Sequence, residues 1–198
     1  MILELDPLVR QQNYSGIAAR DGTNPANRGL LDPTHDDLFL QAIEKKVTRI
    51  TGTVRVDENG APVLDAEGFV VRDGNLLKFS GGEHVVLGGT EGNDSLIGDK
   101  GIDNLWGDGG DDYLNAGTES DQVYGGDGDD IIEDPFGDNF LRGEGGNDVI
   151  SVGHGLNLLF GGEGQDFLRA TTDSTEVFAG PGDDFLLGGS APDTLLGT

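Results

Sequence analysis

Aliphatic residues recur at every ninth position over the second half of the chain. Residues 89–196 divide without insertion or deletion into twelve blocks of nine residues. The eighth position of every block is aliphatic: Leu96, Leu105, Leu114, Val123, Ile132, Leu141, Ile150, Leu159, Leu168, Val177, Leu186 and Leu195. Because neighbouring side chains of a strand point to opposite faces, we expect one short strand per block, with this residue lining an interior ladder.

The first six positions of a block follow the pattern G-G-x-G-x-D, which predicts a tight turn before each strand. Glycine supplies the positive φ angles and the close backbone approach that such a turn requires. Two blocks would complete one coil of eighteen residues, and six coils would stack into a solenoid with two parallel sheets. The pattern therefore predicts an all-β repeat protein.

Residues 1–79 carry no such repeat and are expected to form a small α/β flanking segment, distinct from the repeat region at 80–198. The stretch THDDLFLQAIEKKV at 34–47 predicts a short helix capped by Thr34. Residues 51–64 predict a hairpin around Asn59-Gly60, and residues 68–79 predict a further strand and turn.

Charge and glycine are distributed unevenly between the two parts. Residues 80–198 hold 25 acidic and 3 basic residues, against 12 and 9 in residues 1–79, and 28 of the 35 glycines. Such a negative charge density repels nucleic acid and anionic lipid, so cations are the expected partners. The absence of cysteine excludes disulfides and thiolate metal sites, and no apolar run approaches the 18 residues of a membrane span.

The repeats resemble the RTX (repeats-in-toxin) family, most closely in the blocks GGDGDDIIE from Gly125 and GGEGQDFLR from Gly161. The resemblance covers residues 89–196 and implies a right-handed parallel β-roll that binds Ca²⁺ between consecutive turns on the same edge. It also implies the ligands: the aspartate at position 6 of both turns, carbonyls from positions 2 and 4 of one turn, and carbonyls from positions 1 and 3 of the next. Six oxygen ligands suit Ca²⁺.

Odd and even blocks then place their turns on two opposite edges, here called the odd edge and the even edge. Position 6 of the odd edge is always aspartate: Asp94, Asp112, Asp130, Asp148, Asp166 and Asp184. The even edge has Asp103, Asp121, Asn139, Asn157, Thr175 and Asp193. We expect five Ca²⁺ ions on the odd edge. The even edge should hold one ion between Asp103 and Asp121, with a second between Asp121 and Asn139 left open.

The glycines of these turns complete the candidate metal sites that the resemblance implies. They are Gly89, Gly92, Gly107, Gly110, Gly125, Gly126, Gly128, Gly143, Gly146, Gly161, Gly162, Gly164, Gly180 and Gly182.

Apolar residues also occupy positions 7 and 9, which should point outward. Position 7 of the odd blocks and position 9 of the even blocks form two stripes, made of Tyr113, Ile131, Val149, Phe167 and Phe185, and of Trp106, Tyr124, Phe160, Phe178 and Leu196. A large exposed apolar stripe usually marks a covered surface. We expect residues 1–79 to cover part of these stripes; a docking face for a neighbouring domain or chain and ordinary exposed aromatics are the alternatives.

No catalytic constellation accompanies the repeats: the three histidines are scattered and no serine lies in a nucleophile elbow. We therefore expect a non-enzymatic module that folds on binding Ca²⁺ in a protein exported to the cell surface or beyond, as type I secretion of the family implies. Two alternatives stay open. The junction LLKFSGGEHVVLGGTEGNDSLIGD resembles repeat arrays of bacterial animal-type haem peroxidase proteins, so the segment could belong to a secreted enzyme; the stripes could instead bind carbohydrate.

Overall fold

The computed structural model describes residues 2–4, 46–66 and 68–197, and within these ranges it contains strands and no helix. The strands are β1 (Ile2–Glu4), β2 (Val47–Ile50), β3 (Thr53–Val54), β4 (Arg72–Asp73), β5 (Asn75–Phe79), β6 (Val86–Thr90), β7 (Asp94–Ile97), β8 (Asn104–Gly109), β9 (Tyr113–Asn115), β10 (Gln122–Asp127), β11 (Ile131–Phe136), β12 (Phe140–Gly145), β13 (Val149–His154), β14 (Asn157–Glu163), β15 (Phe167–Arg169), β16 (Thr175–Phe178), β17 (Phe185–Leu187) and β18 (Thr194–Leu196).

The strands form two long sheets with the topology of a solenoid. The even-block sheet has the order β1-β6-β8-β10-β12-β14-β16-β18, and the odd-block sheet has the order β17-β15-β13-β11-β9-β7-β5-β2. Each array strand pairs in parallel with the strand eighteen residues further on, for example Leu141 with Leu159. The predicted parallel β-solenoid with two blocks per coil is therefore confirmed.

The aliphatic residues at position 8 form the interior core. From Leu96 to Val177 all of them are buried, and they stack with Leu77, Phe79, Val85 and Leu87 in one apolar cluster. Leu186 is half-buried, and Leu195 is exposed, because β17 and β18 lie at the edges of their sheets. The position 8 side chains thus form most of the core between the sheets, and Ala116, Val152, Ala170 and Ala179 at position 1 add to it.

The solenoid has about seven coils, because β5 and β6 add a coil before the first block. Leu77 of β5 lies opposite Leu96, and Leu87 of β6 lies opposite Leu105. The first pairing spans nineteen residues rather than eighteen, so the phase slips by one residue. Because β5 lies before residue 79 and pairs with β7, the odd-block sheet includes strands from both sides of the boundary expected there.

The described part of the flanking segment is β-structure attached to the solenoid. β1 pairs in parallel with β6, whereas β2 pairs antiparallel with β5. The predicted hairpin is present: Val56 and Pro62 form an antiparallel bridge, and Gly60 has a φ of 80°. Most of the predicted helix at 34–47 lies outside the described residues. The prediction is wrong for its last residue, because Val47 is not helical but begins β2, where it pairs with the core residue Phe79.

Positions 7 and 9 point outward as predicted, and on the even-block sheet they form a continuous aromatic stripe. We define this stripe as Trp106, Tyr124, Phe140, Phe160 and Phe178, whose neighbouring rings contact one another. Trp106 and Tyr124 are stacked with their ring centroids 4.1 Å apart. Phe140, from position 7, fills the step at which position 9 is Arg142, and the Arg142 guanidinium lies 5.6 Å from the centre of the Phe160 ring.

Candidate metal centre

A ladder of aspartates, all buried except the half-buried Asp184, connects the turns of the odd edge. The backbone N–H at each position 6 donates to Oδ1 of the aspartate eighteen residues later, at 2.8–3.0 Å, throughout the series Asp94, Asp112, Asp130, Asp148, Asp166 and Asp184. The strand that follows each turn holds its aspartate in place by continuing the parallel register. All six predicted side chains therefore lie in one row.

The second carboxylate oxygen of most of these aspartates has no partner in the protein. Oδ2 is buried without a hydrogen bond in Asp112, Asp130, Asp148, Asp166 and Asp184, and also in Asp103 and Asp121 on the even edge. Buried polar groups in folded proteins nearly always have a partner, so a row of unpartnered carboxylate oxygens fits a bound cation.

Burial changes the proton affinity of these carboxyls. It raises the pKa of Asp112 to about 9, that of Asp103, Asp130 and Asp148 to about 7, and that of Asp94 and Asp121 to about 6. Burial also raises the pKa of Asp166. Neighbouring aspartates add to the rise; the charges of Asp130 and Asp94 both act on Asp112. Each negative charge that no cation neutralises therefore destabilises the folded chain.

Consecutive turns of the odd edge are separated by a space, here called a gap. Backbone carbonyls from both turns point into each gap. A Cβ added at Gly146, at position 4, would lie 2.1 Å from the carbonyl oxygen of Gly128, and one at Gly162, at position 2, would lie 2.0 Å from that of Glu144. The carbonyls at positions 2 and 4 thus point forward to the next turn. Those at positions 1 and 3 point back: Ala179 accepts from the Gly162 N–H at 2.9 Å, and Glu163 accepts from the Gly146 N–H at 2.9 Å.

Glycine is needed at these positions for conformation as well as for space. At position 4, Gly110, Gly128, Gly146, Gly164 and Gly182 have φ between 103° and 156°, and at position 2, Gly126, Gly162 and Gly180 have φ between 98° and 130°. At position 1 the demand is steric. A Cβ at Gly89, Gly107, Gly125, Gly143 or Gly161 would lie within 3 Å of Oδ2 of the aspartate in its own block. Gly92 leaves no space either, since a Cβ there would lie 2.1 Å from the Arg72 carbonyl oxygen.

The arrangement of stacked carboxylates and inward carbonyls agrees with a comparison of the chain with known families. A family model of the RTX calcium-binding nonapeptide repeat matches in four copies, at residues 88–123, 114–133, 136–168 and 176–198. These matches cover slightly more than half of the chain. The chain belongs to the RTX calcium-binding nonapeptide repeat family. Comparisons with curated proteins and with solved structures returned no match.

The RTX repeats make this chain a calcium-binding structural module of a kind typical of exported proteins. The turns fit Ca²⁺, a hard cation that prefers oxygen ligands, because each odd gap offers carboxylate and carbonyl oxygens together. Within the described ranges no three acidic or histidine side chains converge on one point. Nor does this part of the chain contain a helix long and apolar enough to cross a membrane. The resemblance to peroxidase-associated arrays stays a prediction.

Asp94 differs from the other aspartates of the odd edge. Its Oδ2 accepts hydrogen bonds from both the N–H (2.6 Å) and the hydroxyl (2.9 Å) of Thr90, and its Oδ1 accepts one from the Asn75 side chain. Asn75 lies opposite Asp94 in the added coil, where it takes the place of a position 6 residue. The first gap thus starts with a carboxylate that the protein already satisfies, and the number of ions stays a prediction.

The even edge loses its turn conformation step by step. Positions 2 and 4 are both left-handed in its first two turns, with φ of 74° at Asp99, 116° at Gly101, 110° at Gly117 and 85° at Glu119. The third and fourth turns keep one left-handed residue each, Gly137 and Gly155. The turn at residues 170–175 has none. The decline from Asp103 to Thr175 that the sequence predicts is therefore accompanied by a change in backbone shape.

Sequence reasoning missed a second ladder, at position 5 of the odd edge. Here each side chain accepts from the backbone N–H eighteen residues later, through Asn93, Asp111, Asp129 and Asn147, at 2.7–3.1 Å. This direction is opposite to that of the position 6 ladder. The sequence does contain a signal for this ladder, because position 5 of the odd blocks, like position 6, is mostly aspartate or asparagine, and both side chains can cap a turn.

Proposed function

We propose that this RTX roll is a folding switch: a module that is unfolded at low Ca²⁺ concentration and folds when Ca²⁺ fills the gaps between its turns. The proposal is supported by the buried, unpartnered Oδ2 atoms of the position 6 aspartates. Their raised pKa values reflect the unfavourable state of these carboxylates in the folded chain. Since only the folded chain brings the ligands together, the free energy of binding becomes free energy of folding.

The net charge strengthens this dependence. The chain carries a formal charge of -25, most of it in the repeats, and stacking the repeats brings like charges close together. Without a cation the odd edge repels itself, and the glycine-rich turns have little conformational preference of their own. Each bound Ca²⁺ would remove two charges and also bind carbonyls. We therefore expect all coils of the array to fold over a narrow range of Ca²⁺ concentration.

The switch suits a protein that folds after export. Extracellular calcium modules bind Ca²⁺ at about 10⁻⁴–10⁻³ M, a range far above the concentrations at which cytosolic calcium buffers work. A chain with such sites stays unfolded in the cytosol and folds outside, which fits type I secretion and an extracellular or cell-surface location. In this role the module is structural, and any catalysis belongs to other parts of the protein that carries it.

Far-ultraviolet circular dichroism during a Ca²⁺ titration tests the switch. The calcium-free chain should give an unfolded spectrum that changes to a β-sheet spectrum as Ca²⁺ reaches the millimolar range, and excess chelator should reverse the change. Mg²⁺ at the same concentration serves as the control for ionic strength and divalent charge. A β-sheet spectrum that is the same with chelator and with Ca²⁺ would overturn the proposal.

A second candidate function is binding through the aromatic stripe. Its rings contact one another in sequence, stacked in the first and last pairs and tilted in between, and Trp106 is 41% exposed. The stripe would serve as a docking surface for a neighbouring domain or chain, or as a carbohydrate-binding face. Replacing Phe160 and Phe178 with alanine should abolish glycan retention on an array while leaving the calcium-dependent spectrum intact. Unchanged retention would argue against the carbohydrate role.

A further inference from the structure

Asp134 is a fully buried carboxylate in a row of apolar side chains. It occupies position 1 of the sixth block, within β11, and its relative exposure is 0%. Its register partner in β13 is Val152, and the same position in other even blocks is taken by Ala116 and Ala170. All three of these residues belong to the apolar core. Because a buried carboxylate is strongly unfavourable without a partner, Asp134 needs compensation that its neighbours do not need.

The compensation must come from the even edge, where position 1 lies beside the position 6 side chain of the same block. In the second block, a Cβ at Gly98 would lie 2.5 Å from Asp103 Oδ2. In the sixth block the corresponding residues are Asp134 and Asn139. Burial, followed by the charge of Asp121, raises the pKa of Asp134 to about 9, and the Asn139 side chain opposes the rise. The three side chains therefore interact in one buried cluster.

This cluster contains polar atoms without partners. Asp134 Oδ1 accepts a long hydrogen bond of 3.4 Å from the Phe136 N–H, but its Oδ2 is buried and unpartnered. Asp121 Oδ2 is unpartnered as well. Asn139 Oδ1 accepts from the Asp121 N–H at 2.9 Å and keeps a second lone pair, whereas its Nδ2, in the place of an aspartate Oδ2, is buried without a partner. Two unpartnered carboxylate oxygens and an amide oxygen thus belong to one cluster, and its two carboxylates are stabilised by a bound cation or by a shared proton.

The substitutions within the sixth block are complementary. An ordinary gap has two carboxylates, one from each turn, and replacing aspartate with Asn139 removes one of them. The sixth block is also the only one of the twelve with an acidic residue at position 1. The eighth block provides the contrast, since it has Asn157 at position 6 and the apolar Val152 at position 1. Asp134 restores the charge in one block, and nothing restores it in the other.

We propose that Asp121, Asp134 and Asn139 form an additional divalent-cation site on the even edge, in which Asp134 supplies the negative charge that Asn139 lacks. The site rests on the proposed calcium-dependent function. Its new ligand comes from position 1, a position that elsewhere on this edge holds glycine or an apolar residue. The next gap, between Asn139 and Asn157, has no carboxylate at position 6, and position 1 of its second turn is Val152, so we expect no ion there.

Native mass spectrometry of the whole chain in saturating Ca²⁺ counts the bound ions. Asp134→Val, which copies the residue found at position 152, and the nearly isosteric Asp134→Asn should each bind one ion fewer than the wild type. Val152→Ala is the matched control at the same position of the eighth block, and it should keep the wild-type count. Asp134→Gly, which restores the commonest residue at position 1, serves if a bulkier side chain prevents folding.

Asp148→Asn, on the odd edge, separates this inference from the proposed function. If Asp148→Asn lowers the count and all Asp134 variants keep it, then calcium binding stands and the additional site is wrong. In that case Asp134 and Asp121 share a proton, and the Asp134 variants should be more stable than the wild type in Ca²⁺ and in chelator alike. If the wild type binds no Ca²⁺, both proposals fail.

Discussion

The backbone N–H of Asp148 donates a hydrogen bond of 2.9 Å to Oδ1 of Asp166, eighteen residues later in the chain. The same Asp166 side chain keeps its Oδ2 buried and unpartnered. One oxygen of the carboxylate therefore joins two coils, while the other has no partner in the protein. Because every inner aspartate of the odd edge stands between two gaps, we expect structure and metal binding to depend on the same side chains.

Replacing Asp166 with alanine should damage two calcium sites at once. The variant loses a ligand from the gap on each side, and it leaves the Asp148 N–H without an acceptor, at a cost of about 1–3 kcal/mol in the free energy of unfolding. Isothermal titration calorimetry should show two ions fewer, and urea unfolding in saturating Ca²⁺ should show the loss of stability. Thr175→Ala is the control, because Thr175 occupies position 6 on the degenerate even edge. Equal effects of the two variants would contradict the assignment.

Gly146 and its neighbour Gly145 should respond very differently to alanine. Gly146 has a φ of 127°, and a Cβ there would meet the Gly128 carbonyl oxygen at 2.1 Å. Gly145 has no left-handed φ, and the nearest atom to a Cβ there is 3.6 Å away. We expect Gly146→Ala to lower the free energy of unfolding by about 3 kcal/mol or more, and Gly145→Ala to change it by less than about 1 kcal/mol. Chemical denaturation in saturating Ca²⁺ measures both, and similar values would argue against the observed turn.

Replacing Glu144 with glycine should stabilise the calcium-bound roll. Glu144 occupies position 2 with a φ of 81°, a conformation that costs a residue with a side chain about 1 kcal/mol. Its ion pair with Arg142, at 3.8 Å, is exposed and contributes little. Glu163→Gly removes the same charge from a strand residue without positive φ, so it should destabilise the roll by about 0.5–1 kcal/mol. The paired thermal denaturations should shift in opposite directions; shifts of the same sign would mean that charge, not backbone conformation, dominates.

The calcium-free chain should be more stable in mild acid than at neutral pH. Burial raises the pKa of Asp112 to about 9 and that of Asp130 and Asp148 to about 7, from an ordinary value of 3.8. The folded state therefore binds more protons than the unfolded state, so the stability is fully present below about pH 4 and is lost as the pH rises through 7 to 9. Circular dichroism of calcium-free protein at pH 5 and pH 8 should show more β-structure at pH 5.

Calcium binding should have the opposite pH dependence, because protons compete with Ca²⁺ for the same carboxylates. The apparent Ca²⁺ affinity should fall from pH 8 to pH 5, and Asp130→Asn should weaken both trends. If calcium-free protein instead gained structure between pH 5 and pH 8, the buried aspartates would not control folding.

The repeat itself could be predicted from the sequence because its interactions are local or recur at eighteen residues. A strand needs one inward side chain, a turn needs glycine, and stacking places equivalent positions next to each other. These three requirements predicted the interior ladder, the row from Asp94 to Asp184 and the weaker even edge. The opposite directions of the ladders at positions 5 and 6 depend on how each carboxylate is rotated, which sequence spacing does not specify.

The added coil and the cluster around Asp134 required the tertiary structure. Leu77 is one residue out of phase with the blocks and lies opposite Leu96 only after a slip of one residue. Pairings such as Val47 with Phe79 join segments that have no common period. At Asp134, the block pattern shows an acidic residue in place of glycine but not its burial beside Asp121. The sequence by itself determined the period, the turns and the main row of carboxylates, because these features repeat. The tertiary structure decided where the solenoid begins and which residues that depart from the repeat contact one another, because those contacts join dissimilar parts of the chain.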